Sequence, residues 1–250
     1  MRVNGNCKWL VIALILAFVS VFFAGCNTGD ASGVTPDPKN ARSSYRTVTD
    51  SRGVEVQVSA EEIVDTISSR VAFIRDRTKD IPPDEQKQVL YFGAPTWAKD
   101  KGGAGYAFGS GTTEVGMMED VVNVRSAYTE PGRNLLSAEQ LLAIDPEVII
   151  LCTWSGYHPP RQLTEDGHYS TIQSLRAIQE GEVYSLAATP CKSERLEFPI
   201  NMMVMAKAVY PDRFADVNLV SWIREFIVEL YDTDEATTDQ IVDALMLEYL

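Results

Sequence analysis

Apolar residues recur along this chain with two periods, and the alternation between the periods marks out its elements. Val54, Val56 and Val58 alternate with polar residues after the turn "DSRG", which predicts a small hairpin over 45–58. Ile63, Val64, Ile67, Val71 and Ile74 then repeat at helical spacing. Ser59 and Glu62 have the spacing of a capping box, so a helix is predicted from Ser59 to about Lys79, where Pro82 and Pro83 forbid its continuation. "QVLYFGA" reads as a strand, 95–111 as a long glycine-rich loop, and Thr112 or Thr113 as the cap of a further helix. "VVNV" at 121–124 reads as a short strand. "LSAEQLLAIDPEVIIL" predicts a capped helix over 137–144, an Asp-Pro break and a strand over 147–152 that is apolar on both faces, as a central parallel strand is. Another long loop to about Ser170, a helix over 171–179 and a strand over 183–188 follow. The end is helical. Residues 199–210 are apolar nearly all round, Val220, Ile223, Ile227 and Leu230 share one face with Trp222 and Phe226 beside it, and "TDQIVDALMLEYL" makes a last helix. Strands alternating with helices predict an α/β fold, a single Rossmann-like lobe with a parallel central sheet.

The first residues stand apart from this pattern. Arg2 and Lys8 precede an uncharged run over 9–24, which ends on small residues at "AGC". That order is a secretory signal, and the run is at the short limit for a permanent membrane span. "FFAGC" resembles a bacterial lipobox, which implies cleavage before Cys26 and a lipid on Cys26. The expected organisation is a signal over 1–25, a Gly/Ser/Pro-rich tether over 26–44, the hairpin over 45–58, and a lobe over 59–250 whose linking helix spans 59–80. The mature protein is then expected outside the cytoplasmic membrane, held to it by the lipid on Cys26 alone.

Charge narrows the partners. The chain carries −13, and −15 once Arg2 and Lys8 are removed. Such a surface repels nucleic acid and anionic lipid, so neither is an expected partner. Of the four cysteines, Cys7 leaves with the signal and Cys26 is the anchor. Cys152 and Cys191 remain, either as two buried thiols or as a disulfide, and sequence does not choose between them.

In an open parallel sheet, ligands meet the loops at the carboxyl ends of the strands. Three loops qualify, and all carry aromatic or cationic residues: Trp97, Tyr106 and Phe108 on the first, Trp154, Tyr157, His158 and Arg161 on the second, and Arg195 on the third. These are the candidate ligand-binding residues. A nucleotide site is excluded on spacing, because "GSGTTE" places Glu114 where a dinucleotide fingerprint needs glycine and no phosphate-loop Gly-Lys-Ser/Thr occurs. His158 and His168, ten residues apart, match no compact metal spacing, so no metal is expected. Ser155 lacks a nucleophile elbow, no other catalytic set stands out, and the chain is not expected to be an enzyme. Glu139 falls in the first turn of its helix, where the helix dipole alone accounts for a carboxylate.

Several of these stretches together are similar to the iron-siderophore, haem and cobalamin class of solute-binding proteins that serve ABC importers. "TVTDSRGVEVQV" resembles the opening hairpin of that family, "LSAEQLLAIDPEVIIL" its carboxyl-lobe helix and strand, and "VYSLAATP" with "MVMAKAVYPDRFADVNLVSWIREFIVELY" its last strand and terminal helices. The resemblance implies two α/β lobes joined by a long helix, a ligand clamped between them, and a glutamate on each lobe that docks on the permease. Glu139 falls at the carboxyl-lobe glutamate. The implied partners are an ABC permease and a ferric siderophore, haem or corrinoid ligand, with no cofactor. This sequence departs from the family in one large respect: Val58 is followed at once by Ser59 and the helix, so the amino-terminal lobe is missing.

Overall fold

The computed structural model describes residues 45–49, 55–93, 95–153, 156–188 and 196–247, with side chains from residue 61 onward except 95–97. Residues 1–44, which hold the expected signal, Cys26 and tether, lie outside the described residues. Among the described residues no helix is long and apolar enough to cross a membrane.

Two antiparallel strands, β1 (Tyr45–Thr49) and β2 (Glu55–Ser59), pair only with each other. The chain then enters α1 (Ala60–Thr78) with no residue between. Acidic residues in its first turn and basic ones in its last match the helix dipole. The body is a six-stranded sheet built from β3 (Gln88–Gly93), β4 (Gly105–Phe108), β5 (Arg125–Ser126), β6 (Arg133–Leu136), β7 (Val148–Leu151) and β8 (Val183–Ser185). Its order is β6-β4-β3-β7-β8, with β5 beside the start of β3. β3, β5, β7 and β8 are parallel, whereas β4 pairs antiparallel with both β3 and the edge strand β6, so that β4 alone is reversed.

Alternate residues of β3 and β7 feed two apolar layers, as the period-two geometry of a strand requires. Val89, Tyr91, Val148 and Ile150 join one cluster with residues of α1, α7 (Phe198–Val209) and α8 (Leu219–Tyr231). Leu90, Phe92, Ile149 and Leu151 join the other, with Leu141 of α4 (Ala138–Ile144) and Ala177 of α6 (Arg176–Gln179). Each such side chain contributes about 1.5–3 kcal/mol on burial. α7 is buried nearly all round, as its composition predicts. α9 (Glu235–Ala244) packs on α8, and Arg224 is ion-paired with Asp239 across them.

α1 and α8 run antiparallel: Arg77 meets Asp216 just before α8, and Arg70 meets Glu225 and Glu229 further along it. The start of α1 therefore lies beside the end of α8. Tyr231, at that end, bonds Glu197 at the start of α7, directly after the loop that leaves β8. The hairpin thus stands on the side of the sheet where the parallel strands end.

Several expected elements differ. The loop over 95–111 is instead a short helix, α2 (Pro95–Asp100), and the strand β4. Its glycines serve close packing: a Cβ on Gly105 would overlap the Phe92 ring, and one on Gly109 would overlap the Glu130 carbonyl. Residues 121–124 form no strand. α3 (Thr113–Met117) runs on into a π-helical turn at Met118–Val122, and Asn123 reverses the chain at φ 58°. The stretch 171–179 holds the end of a 3-10 turn (Gly167–Ile172) and the four-residue α6. The last helix runs over Glu235–Ala244, earlier than expected. Val220 is 52% exposed, not on the buried face of α8.

Candidate functional site

The loops after β3, β7 and β8 meet at one rim and are joined by hydrogen bonds. After β7, Cys152 and Thr153 continue buried, and the Thr153 hydroxyl donates to the Ala187 carbonyl beyond β8 at 2.8 Å. The Ser185 hydroxyl of β8 donates to the His158 carbonyl at 2.5 Å. On the other flank, Lys99 of α2 pairs with Asp166 at 3.4 Å, and His168 Nε2 bonds the Gly103 carbonyl at 3.0 Å. The His168 and Tyr169 rings meet edge to face. Asp166 is fixed by the His168 backbone N–H at 2.9 Å. That bond, with help from Lys99, holds its carboxyl below the usual carboxylate range.

The segment after β7 encloses an open depression of about 620 Å³. Tyr157, His158, Arg161, Gln162, Glu165 and Asp166 line it, the last four on or beside the short helix α5 (Gln162–Glu165). His158 is only 5% exposed, and its Nδ1 lies 3.1 Å from Gln162 Oε1. Burial pushes the pKa of this imidazole below its ordinary value despite the Gln162 bond, so the ring is neutral at pH 7. Arg161 is exposed and supplies the positive charge of the depression.

The structure brings Tyr157, His158 and Arg161 together and sets the other candidates apart. Tyr106 lies at the β4 side of the rim, opposite Gly93, the last residue of β3. It is half-buried, with Lys101 Nζ 3.2 Å from its hydroxyl and the Arg133 guanidinium 5.2 Å from its ring centre. Phe108 is not on a loop: it ends β4 in the core, 5% exposed, with its ring 5.2 Å from that of Tyr91. Trp97 is in α2, but its side chain lies outside the described residues, as do Trp154, Cys191 and Arg195 altogether. Cys152 is buried. Among the described residues no group of acidic, histidine or cysteine side chains has the geometry of a metal site.

Glu139 is exposed in the first turn of α4. Ser137 and Gln140 close the capping box in both directions, at 2.9 and 3.3 Å. Its own backbone N–H and then the Ser137 hydroxyl hold its carboxyl below the usual range. Leu136, at the end of β6, accepts the Ala104 N–H at 2.8 Å, so Glu139 stands at the same edge as the rim loops. Sequence reasoning passed over Lys99, Lys101 and Gln162. Each is a common polar residue in a loop or at a helix end, and only the fold shows what it touches.

A second groove, about 670 Å³, lies between α1 and α8. Its two arginines are already committed: Arg77 is bidentate to Asp216 at 2.5 and 2.8 Å, and Arg70 pairs with Glu229 at 2.7 Å while covering Trp222. The rim is therefore the better candidate.

No protein-family model matches the chain, and no curated protein matches it in sequence. Solved structures do match in fold. Molybdate-bound MolA, the periplasmic binding protein of a Haemophilus influenzae ABC transporter, is 21% identical, with 70% of this chain and 51% of that one covered at a TM-score of 0.54. Helicobacter pylori CeuE with Ni(II) bound is 17% identical, with 74% and 56% covered at 0.57. A periplasmic solute-binding protein from Veillonella parvula is 19% identical, with 74% and 54% covered at 0.60. The chain thus has a fold found in periplasmic solute-binding proteins, and it spans about half the length of the solved structures it matches.

Proposed function

We propose that this chain is a solute-binding protein of an ABC importer, lipid-anchored through Cys26 outside the cytoplasmic membrane, for a ligand of the iron-siderophore, haem or corrinoid type. It binds and hands over, without chemistry. The observation that carries the reading is the rim: the loops after three parallel strands are joined there, and Tyr157, His158 and Arg161 line one depression. A neutral buried imidazole, a phenol and an exposed guanidinium suit a planar or anionic ligand held by few directed polar contacts. Glu139, exposed at the same edge, is the proposed contact to the permease.

The test is tryptophan fluorescence of the purified chain titrated with hemin, a ferric siderophore and cobalamin. Molybdate and Ni(II), named for the structural neighbours, complete the panel. Saturable quenching by one of them at micromolar concentration, lost in Arg161→Ala, is expected. No response to any of them well above micromolar rejects the reading.

A second reading is favoured by the direct passage from β2 into α1. It makes the chain a surface interaction lipoprotein that keeps one lobe of the fold and does not transport. Wild-type uptake of the ligand in a strain deleted for this chain is the result expected from that alternative.

A further inference from the structure

We propose that Ser185 is a positioning residue for the solute site, an inference that rests on the solute-binding reading above: its buried hydroxyl, by holding the His158 carbonyl, sets the place of the His158 imidazole on the wall of the rim depression.

Ser185 is out of character for its place in the fold. It lies on β8 opposite Leu151, on the same face as Val183, and both of those residues belong to the second apolar layer. The segment after β7 passes back over this face, where Leu163, Tyr169 and Ile172 join the same layer. Ser185 is fully buried there. A hydroxyl in an apolar layer is costly unless it is bonded, and an alanine or valine would fill the position without one. The serine meets the need by donating to the His158 carbonyl at 2.5 Å, on a residue that is itself buried.

That bond reaches the ring through a short circuit of contacts. Pro159 follows His158 and disfavours helical backbone angles there, so holding the carbonyl also limits where the Cα–Cβ bond points. The Pro159 carbonyl accepts the Gln162 backbone N–H at 2.9 Å, and the Pro160 carbonyl accepts that of Leu163 at 3.1 Å. Leu163, fully buried, fastens this turn to the apolar layer. Gln162 Oε1 then lies 3.1 Å from His158 Nδ1. The imidazole is thus set from two directions, by Gln162 at its ring and by Ser185 through its own carbonyl. Ser185 is not in the lining of the depression, so it acts on a solute only through His158.

The experiment compares Ser185→Ala with the native full chain in detergent, by NMR of labelled histidine and by titration with hemin. The chain has two histidines, so His158 is read beside His168 as an internal reference. In Ser185→Ala the loop loosens and the ring gains water. The His158 pKa is therefore expected to rise toward about 6.5, with His168 unchanged, and hemin affinity to fall about tenfold. Tyr157, Arg161, Glu165 and Asp166, the titratable and charged groups around the depression, are the same in both proteins. Ser185→Cys keeps the volume and donates only weakly, so it gives the same reading where alanine fails to fold. Thr78→Val removes another fully buried hydroxyl, at the far end of α1, and is expected to lower the melting temperature without moving His158 or hemin affinity. A His158 titration that stays native in both Ser185 variants overturns the proposal whatever the melting temperature does, as does an equal shift in Thr78→Val. If His158 shifts but hemin affinity does not, the positioning role falls and the solute reading stands. If His158 shifts and the native chain binds no hemin, the hold of Ser185 on the ring stands and hemin is rejected as the solute.

Discussion

The Glu147 carboxylate accepts the backbone N–H of Gln88 at 2.8 Å, so a side chain just ahead of β7 holds the first residue of β3. Lys87 Nζ lies 3.3 Å from the other carboxylate oxygen. Burial pushes the pKa of Glu147 up, but the Gln88 N–H and Lys87 outweigh it, and the net position is below the ordinary glutamate value. The linkage sign follows from that direction. A depressed carboxyl contributes stability above its unfolded value of about 4.3 and loses it as pH falls through the folded value. Glu147→Gln is therefore expected to lower stability at pH 7 by about 1–2 kcal/mol. It is also expected to flatten the acid limb of the stability curve below about pH 5. Urea denaturation at pH 7 and pH 4 measures both, and an unchanged acid limb refutes the assignment.

Asn123 is a second point on which several elements converge. Its Nδ2 donates to the Thr78 and Ile81 carbonyls at 2.6 and 3.1 Å, its Oδ1 accepts from Gln86 at 2.6 Å, and its carbonyl accepts the Tyr210 hydroxyl at 2.9 Å. It does so with a left-handed backbone, φ 58°, which asparagine tolerates better than most residues. Asn123→Ala removes the side-chain bonds and adds backbone strain, for an expected loss of about 2–4 kcal/mol. Asn123→Gly keeps the backbone and loses the bonds, so it is expected to cost less than alanine. The reverse order in thermal denaturation contradicts the role of the left-handed turn.

These two residues show what could be read from the sequence and what could not. α1, α4, β3, β7, α7 and α8 were legible because their apolar residues keep one period over a full element or carry a capping box, as at Ser137 and Gln140. Asn123 lay within "VVNV", which has β-branched residues but gains its shape from Thr78, Ile81 and Tyr210, far off in sequence. β4 and β6 were missed because strands of four residues carry little pattern, and pairing decides them, β4 with β3 and β6 with β4. The rim residues Tyr157, His158 and Arg161 were found because the loop after a central strand is where an α/β sheet exposes side chains. Phe108 was misplaced for a related reason: an aromatic in a glycine-rich run reads as a loop until Gly105 is seen to admit the Phe92 ring.

The glycines give a third prediction. A methyl group at Gly105 would overlap Phe92, which is fully buried, so Gly105→Ala is expected to destabilise by about 1–3 kcal/mol. Gly116, within α3, has nothing within 4 Å of the same position. Gly116→Ala is therefore expected to stabilise by about 0.5–1 kcal/mol through helix propensity. Melting temperatures of the pair give opposite signs if these glycines serve packing and not mobility.

Glu139 separates docking from folding. The capping box of α4 is made by Ser137 and Gln140, so the helix end stays satisfied without Glu139. Glu139→Arg is expected to lower the melting temperature slightly, through the lost helix-end interaction, to leave solute affinity unchanged and to abolish uptake in cells. If uptake is unchanged, the docking role is wrong.

His158 gives the last prediction. Its ring is 5% exposed and its pKa is held below the ordinary imidazole value, so the folded state disfavours the protonated form. The unfolded chain takes up the proton near pH 6.5, and between that pH and the folded value it binds more protons than the native state. Stability is therefore complete above about pH 6.5 and falls as pH drops through this window. His158→Gln removes the titration while keeping a polar side chain near Gln162. Its denaturation free energy is expected to change less than that of the native chain between pH 7.5 and pH 5.5. Equal slopes for the two proteins place the pH dependence elsewhere and remove the argument that a neutral imidazole faces the rim depression.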